Sequence, residues 1–275
     1  MNLWLGAISA LFCALAGAAL GRWFGQQKTP WWAFGYFIPL AIVLMYAVAF
    51  HFPSLMFTPP VSWLTMGLKK FAVLGFVETM ILTTPLSRLP QRRDRKSLAV
   101  LMAVLAFFVG VWPFLAPAFA RPQLAQLKTK MDENGVCLQT TDYTCGPAAA
   151  VTALYQLGFN AEEGDVAIAS GTSNQEGTQT DLLAAALTEK YGRQGLLVNC
   201  RAFKNVEELR SAGVTLAVVK YSLLVDHWVA VLRVTKDLVI IGDPAGGLVK
   251  MSYSEFAERW RFIGIVLTRK TIYQT

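Results

Sequence analysis

Residues 3–20 read LWLGAISALFCALAGAAL, with no charged side chain in the whole run. A helix of that length just crosses a bilayer core of roughly 30 Å, and hydrocarbon admits only segments that satisfy their own backbone polar groups, so the start of the chain is restricted to membrane helices. A cleaved signal peptide is disfavoured because MNLW lacks a basic n-region and further apolar runs follow. WWAFGYFIPLAIVLMYAVAF at 31–50 carries tryptophans where an interfacial belt would hold them, and LAVLMAVLAFFVGVWPFLAPA at 98–118 predicts a span kinked at Pro113. FAVLGFVETMILTTP at 71–85 is shorter, and a span over about 66–86 is expected there, with Lys69 and Lys70 near its start. Glu78 lies inside it; a carboxylate at that depth is either functional or a helix-packing, near-interface group.

Charge divides the chain. Before residue 121 there are nine Lys or Arg against Glu78 and Asp94, whereas residues 121–275 balance sixteen basic with sixteen acidic side chains, so the net charge of +7 belongs to the first part. The basic residues sit between apolar runs and the second part is neutral, which excludes a nucleic-acid-binding domain and makes the charges topology signals. With four spans both ends share a side. The loops holding Arg22, Lys28, Arg88, Arg92, Arg93, Arg95 and Lys96 outnumber the five cations Lys69, Lys70, Arg121, Lys128 and Lys130. The richer loops are therefore expected inside, and residues beyond 121 on the extracytoplasmic side of an inner membrane.

After a linker at 121–134 the texture changes. PAAAVTALYQL at 147–157 predicts a buried helix stopped by Gly158, Asn160 with Glu163 resembles a capping box, and DLLAAALTEKY is helical with Thr178 or Thr180 as cap. From 195 the signals become strands, including TLAVVKYSLL, HWVAVLRV and LVIIGDP, with a late helix near YSEFAERW. Helices first and sheet later predict an α+β domain over 135–275, behind a membrane domain over 1–120 with spans near 3–20, 31–50, 66–86 and 98–118.

The chemistry is concentrated in CLQTTDYTCGPAAAV at 137–151. Pro147 suits the first helical turn, which leaves Cys145 at a helix mouth where the dipole and unpaired N–H groups favour a thiolate nucleophile. A nucleophile needs a base, and of the two histidines His51 closes the second span, so His227 is the candidate. His227 opens one strand and Asp243 ends the next, joined by a turn near Thr235–Asp237, so Asp243 can orient the imidazole. Gln139 is the candidate donor to a developing oxyanion, beside the backbone N–H of Cys145. Each residue alone is more often structural; the four together point to catalysis. Cys137 and Cys200 read as unpaired structural thiols, with a disulfide between them, or a Cys137–Cys145 bridge that silences the nucleophile, as alternatives. Cys13 reads as packing.

Gln139, Cys145-Gly146 opening a helix, Gly177-Thr178, DHWVAVLRV and IGDPAGG together resemble the bacteriocin-processing cysteine peptidases, papain-like enzymes that cut leader peptides after a double glycine. The likeness runs over about 135–268. It implies Cys145 as nucleophile, His227 as base, Asp243 as orienter and Gln139 as oxyanion donor, with a peptide or protein substrate and no cofactor. The family's peptidase domain usually fronts an ATP-driven exporter and carries aspartate before the cysteine. This chain has Thr144 there and no GxxxxGK[ST] phosphate loop, so any transporter would be a separate partner. The expectation is a multi-pass membrane protein with a papain-like cysteine peptidase domain. A non-catalytic peptide-gripping domain serving a transporter, and an amidase or acyltransferase of the same fold, are the competing readings.

Overall fold

The computed structural model describes residues 3–52, 55, 58, 61–65, 67–222 and 225–270, in two compact units that divide between Ala116 and Pro117. The first is helical: α1 (Leu3–Gly25), α2 (Phe34–His51), the short α3 (Val61–Thr65), α4 (Lys69–Thr83) and α5 (Arg92–Leu105), which runs through a π-helical stretch (Ala106–Val111) into α6 (Trp112–Leu124), whose residues from Pro117 on belong to the second unit. The irregularity expected at Pro113 takes this form: the ladder widens just before a residue that has no N–H to give.

Three helices among the described residues are long and apolar enough to cross a membrane: Trp4–Gly25, Trp31–Ala49 and Arg92–Leu124. The helix at the span expected over 66–86, α4, is not among these three: it has 15 residues and covers roughly 22 Å at 1.5 Å per residue, with Gly67 at φ 64° between it and α3 and Pro85 after its end. It nevertheless packs as a member of the bundle. A Cβ at Gly17 would collide with Phe76 O, one at Gly21 with Met80 O and one at Gly25 with Thr84 O, so α1 and α4 run parallel with their backbones touching along one small-residue stripe. Thr79 Oγ1 donates across this seam to Ala14 O at 2.8 Å. Helix α2 is antiparallel to α4, with Gly35 against Thr84 and Tyr46 Oη donating to Leu64 O. The π-helical stretch meets α4 where Gly110 abuts Gly75, and Phe114 covers Gly6, so the α5–α6 passage runs antiparallel to α1.

One end of this unit gathers most of its basic residues, with Lys69 and Lys70 at the start of α4 toward the other. Arg88 donates from Nε to Gly25 O at 3.1 Å and from Nη2 to Gln27 O at 2.8 Å, and its guanidinium lies 4.8 Å from the Trp32 ring. The sequence loops after α1 and before α5 are thereby joined.

In the second unit β1 (Lys130–Met131) pairs with β2 (Cys137–Leu138), followed by α7 (Cys145–Gln156), α8 (Glu163–Ala169) and α9 (Thr180–Tyr191). Then come β3 (Leu196–Ala202), the short α10 (Glu207–Arg210), β4 (Val214–Lys220), β5 (Asp226–Val234), β6 (Leu238–Asp243), β7 (Gly247–Ser252), α11 (Tyr253–Arg259) and β8 (Trp260–Arg269). The six long strands form one antiparallel sheet in the order β3-β8-β4-β5-β6-β7. Both faces are covered, which is why the strands read as near-continuous apolar runs. Leu216, Trp228 and Ala230 share a core with the alanines of α7, while the alternate residues Ala217, Val229 and Val231 join Phe256 and Trp260 of the opposite layer.

The α1–α4 seam generates a prediction. Gly17→Leu should weaken the full-length protein by about 1–3 kcal/mol, read as a lower Tm in detergent, whereas Ala19→Leu on the exposed side of α1 should change it little. Equal effects of the two would show that the seam does not hold the bundle.

Candidate active site

Cys145 opens α7, beneath a surface that leaves it 8% exposed. Its neighbour must be glycine: a Cβ at Gly146 would stand 2.8 Å from Thr178 Cβ. Thr178 is itself pinned, since its hydroxyl lies 2.7 Å from that of Thr172 and its carbonyl accepts Trp228 Nε1 at 3.2 Å. Residues 172–178 are closed into a loop by the Ser173–Gly177 bridge. The Gly177-Thr178 pair thus clamps the mouth of α7 to the start of β5, where His227 precedes Trp228.

Strands β5 and β6 pair with Ala230 opposite Gly242, so Asp243 stands diagonally from His227 across the ladder. His227 Nε2 meets Asp243 Oδ1 at 2.7 Å, and the same oxygen accepts Ala245 N–H at 2.9 Å. Cys145 lies near enough to the same imidazole to help hold its pKa up. With Nε2 engaged by the carboxylate, Nδ1 is the nitrogen left for the thiol. Burial alone would lower the His227 pKa, but Asp243 and Cys145 outweigh it and hold the imidazole up at about 9, so it is a cation at neutral pH. Burial pushes the Asp243 carboxyl up; the bonds from His227 and Ala245 N–H, aided by the charges of His227 and Arg259, bring it below its ordinary value.

Gln139 lies beside this pair. Its N–H donates to Pro244 O at 2.9 Å, next to Asp243, while its side-chain Nε2 gives a hydrogen to Thr141 O at 3.0 Å. An amide nitrogen carries two hydrogens, so one remains for another acceptor. Its Oε1 is buried and, among the described residues, has no hydrogen-bond partner.

The capping box expected from Asn160 and Glu163 is absent. Helix α8 begins at Glu163 itself, with Glu162 at the N-cap and no side-chain cap, and the fully buried Glu163 carboxylate instead takes both donors of Thr140: N–H at 2.9 Å and Oγ1 at 2.5 Å. A sequence reader sees the local spacing and not the loop twenty residues upstream. Cys13, Cys137, Cys145 and Cys200 are all free thiols, and burial pushes Cys137 up to about 12 and Cys200 to about 11. Among the described residues no group of three or more His, Cys, Asp or Glu is arranged to hold a metal ion.

A thiol, an imidazole and a carboxylate thus lie together at the junction of a helix and a sheet. Residues 133–272, half of the chain, match the model of the Peptidase C39 family, and the chain belongs to that family. Two uncharacterized proteins are similar: one of Methanothermobacter marburgensis, 26% identical over 136 residues, covering 50% of this chain and 89% of the relative, and one of Methanothermobacter thermautotrophicus, 26% identical over 131 residues, covering 48% and 86%. Among solved structures, the peptidase domain of Streptococcus ComA, a bifunctional ABC transporter involved in a quorum sensing pathway, is 21% identical and covers 48% of this chain and 96% of its own, with a TM-score of 0.41. A double glycine motif protease from an AMS/PCAT transporter, in complex with the leader peptide, is 19% identical, covers 53% and 96%, and has a TM-score of 0.42.

Because the folded value of His227 lies above the 6.5 of a free imidazole, its bonds add stability that is complete below about pH 6.5 and lost as pH rises through about 9. The lowered Asp243 carboxyl acts in the opposite sense, its share present above the ordinary carboxylate range and lost in acid. ¹⁵N-histidine NMR of the full-length protein should show His227 titrating near 9, and Asp243→Asn should bring it down by more than about one unit, since burial then opposes the charge with less to resist it. A wild-type midpoint near 6.5 would contradict the arrangement.

Proposed function

We propose that this chain is a membrane-bound cysteine peptidase acting on peptides of leader type, with Cys145 as nucleophile, His227 as acid and base, Asp243 as the group that orients it, and Gln139 as oxyanion donor. One observation carries the reading: the buried His227 imidazole is held by Asp243 at 2.7 Å, and Cys145, at the mouth of α7, lies near enough to act on its pKa. In the reaction the Cys145 sulfur adds to the scissile carbonyl carbon. The charge developing on its oxygen is met by the Cys145 N–H at the start of α7 and by the free hydrogen of Gln139 Nε2. Collapse breaks the C–N bond as His227 gives its proton to the departing amine, and a water activated by the now neutral imidazole hydrolyses the thioester.

A peptide substrate is supported by membership of the Peptidase C39 family and by the leader peptide bound to a similar protease. The similar proteases named for ABC and AMS/PCAT transporters suggest that a separate transporter is the partner of this one. The peptidase domain is proposed to face the extracytoplasmic side of the membrane. Arg22, Lys28 and the basic run at 88–96 gather at one end of the helical unit, the end expected inside, and the helix from Arg92 to Leu124 leaves it for the other.

Full-length protein in nanodiscs, incubated with a mixed peptide library, should generate new N-termini that mass spectrometry detects with wild type and not with Cys145→Ala, and a loss of at least about 10³-fold is expected for His227→Ala. Absence of any Cys145-dependent terminus would refute hydrolysis. Alkaline phosphatase fused after residue 270 should be active in cells; an inactive fusion alongside a fluorescent GFP fusion would reverse the sidedness.

A further inference from the structure

Glu163 is fully buried, and among the described residues no cation pairs with it. A carboxylate in that position is costly unless hydrogen bonds replace its water, and both of its oxygens are spent on one residue, Thr140. Thr140 follows Gln139 directly and begins the loop that ends at Cys145. The loop's other ties are mostly internal: Gln139 Nε2 to Thr141 O, Thr141 N–H and Oγ1 to Thr144 Oγ1, and the Thr144 N–H and hydroxyl to Thr141 O, with Thr140 Oγ1 also 3.5 Å from Lys128 O. On its other side Glu163 donates its backbone N–H to Thr129 Oγ1 at 2.8 Å, and a Cβ at Gly164 would collide with Leu124 O, the last residue of α6. Glu163 therefore stands between the segment leaving α6 and the loop that carries Gln139.

We infer that Glu163 is a positioning residue for the oxyanion side of the site: it fixes Thr140, and through Thr140 the direction in which Gln139 presents its free amide hydrogen beside the Cys145 N–H. The inference rests on the roles proposed above for Gln139 and Cys145. A bidentate grip on one residue suits this task, because it fixes the orientation of the Thr140 peptide as well as its distance. It leaves the His227–Asp243 pair untouched, so loss of Glu163 acts on the developing charge and not on the nucleophile.

Two reagents separate these effects on the full-length protein in nanodiscs. With p-nitrophenyl acetate the Cys145 sulfur adds to the carbonyl carbon, an oxyanion forms, and the C–O bond breaks to release p-nitrophenolate. With iodoacetamide the same sulfur displaces iodide from a saturated carbon and no oxyanion arises. Glu163→Ala should slow acylation about 10- to 100-fold with alkylation unchanged. Glu163→Gln, whose amide can still engage both Thr140 groups, should restore most of the rate. In a Gln139→Ala background Glu163→Ala should cost nothing further. Thr140→Val, which removes only the hydroxyl bond, should act in the same direction more weakly, and it decides the matter if Glu163→Ala does not fold. Parallel loss of both reactions, an unchanged acylation rate, or full additivity with Gln139→Ala would overturn the inference. A wild type acylated no faster than Cys145→Ala would instead sink the peptidase reading itself.

Discussion

Helix α7 lies on the sheet at a distance that only small side chains permit. Ala148, Ala149, Ala150 and Ala153 are completely buried, and they meet Leu216 of β4 and the Trp228 and Ala230 side of β5. Thr152 adds a tie on the β6 side, accepting Cys137 N–H at 2.8 Å while its methyl group leaves no room for a Cβ at Gly242. Close approach decides where the first turn of α7 ends up. A bulkier helix would ride higher, and Cys145 would lift away from the strand that starts with His227. The alanine run is thus a distance constraint, and the chemistry at its mouth depends on it.

The clamp at Gly146 and Thr178 removes the remaining freedom. With the helix height set by alanines and its mouth tied by the 172–178 loop to Trp228, the thiol has one place to go. Asp243 is fixed as firmly, because Oδ1 is shared between His227 and the Ala245 N–H of its own turn. A carboxylate held by its own backbone turn does not need a second side chain to keep its rotamer. The imidazole then receives a fixed charge on one nitrogen, and this overcomes the cost of keeping a cation buried.

Much of this was legible from residue order, for identifiable reasons. Pro147 and Gly158 bracket α7, and an alternating run opening on His227 followed by another closing on Asp243 is a hairpin whose ends must meet. What escaped is long-range. Glu163 has the spacing of a capping box, but its partner is Thr140, and no local pattern announces a contact made twenty-three residues away. The fourth helix of the membrane unit was visible as an apolar stretch, while its length depends on a backbone turn at Gly67 that hydropathy does not register. The glycines at 17, 21 and 25 carry no local sign of a packing seam until α4 is seen lying against them. Thr141 likewise takes one hydrogen of Gln139, a detail of rotamer rather than of sequence.

The turn after β6 joins two residues that sequence distance separates. Asp243 orients the imidazole, and its neighbour Pro244 offers the carbonyl that anchors the backbone of Gln139. Proline gives no N–H of its own, so this turn can hold the upstream strand only by accepting, and the register of Gln139 is read off the position of Asp243. The Asp243 carboxylate and the Gln139 backbone are consequently tied to the same turn. This turn is therefore a fixed point of the fold: an insertion between β6 and β7 would displace Asp243 and Gln139 together.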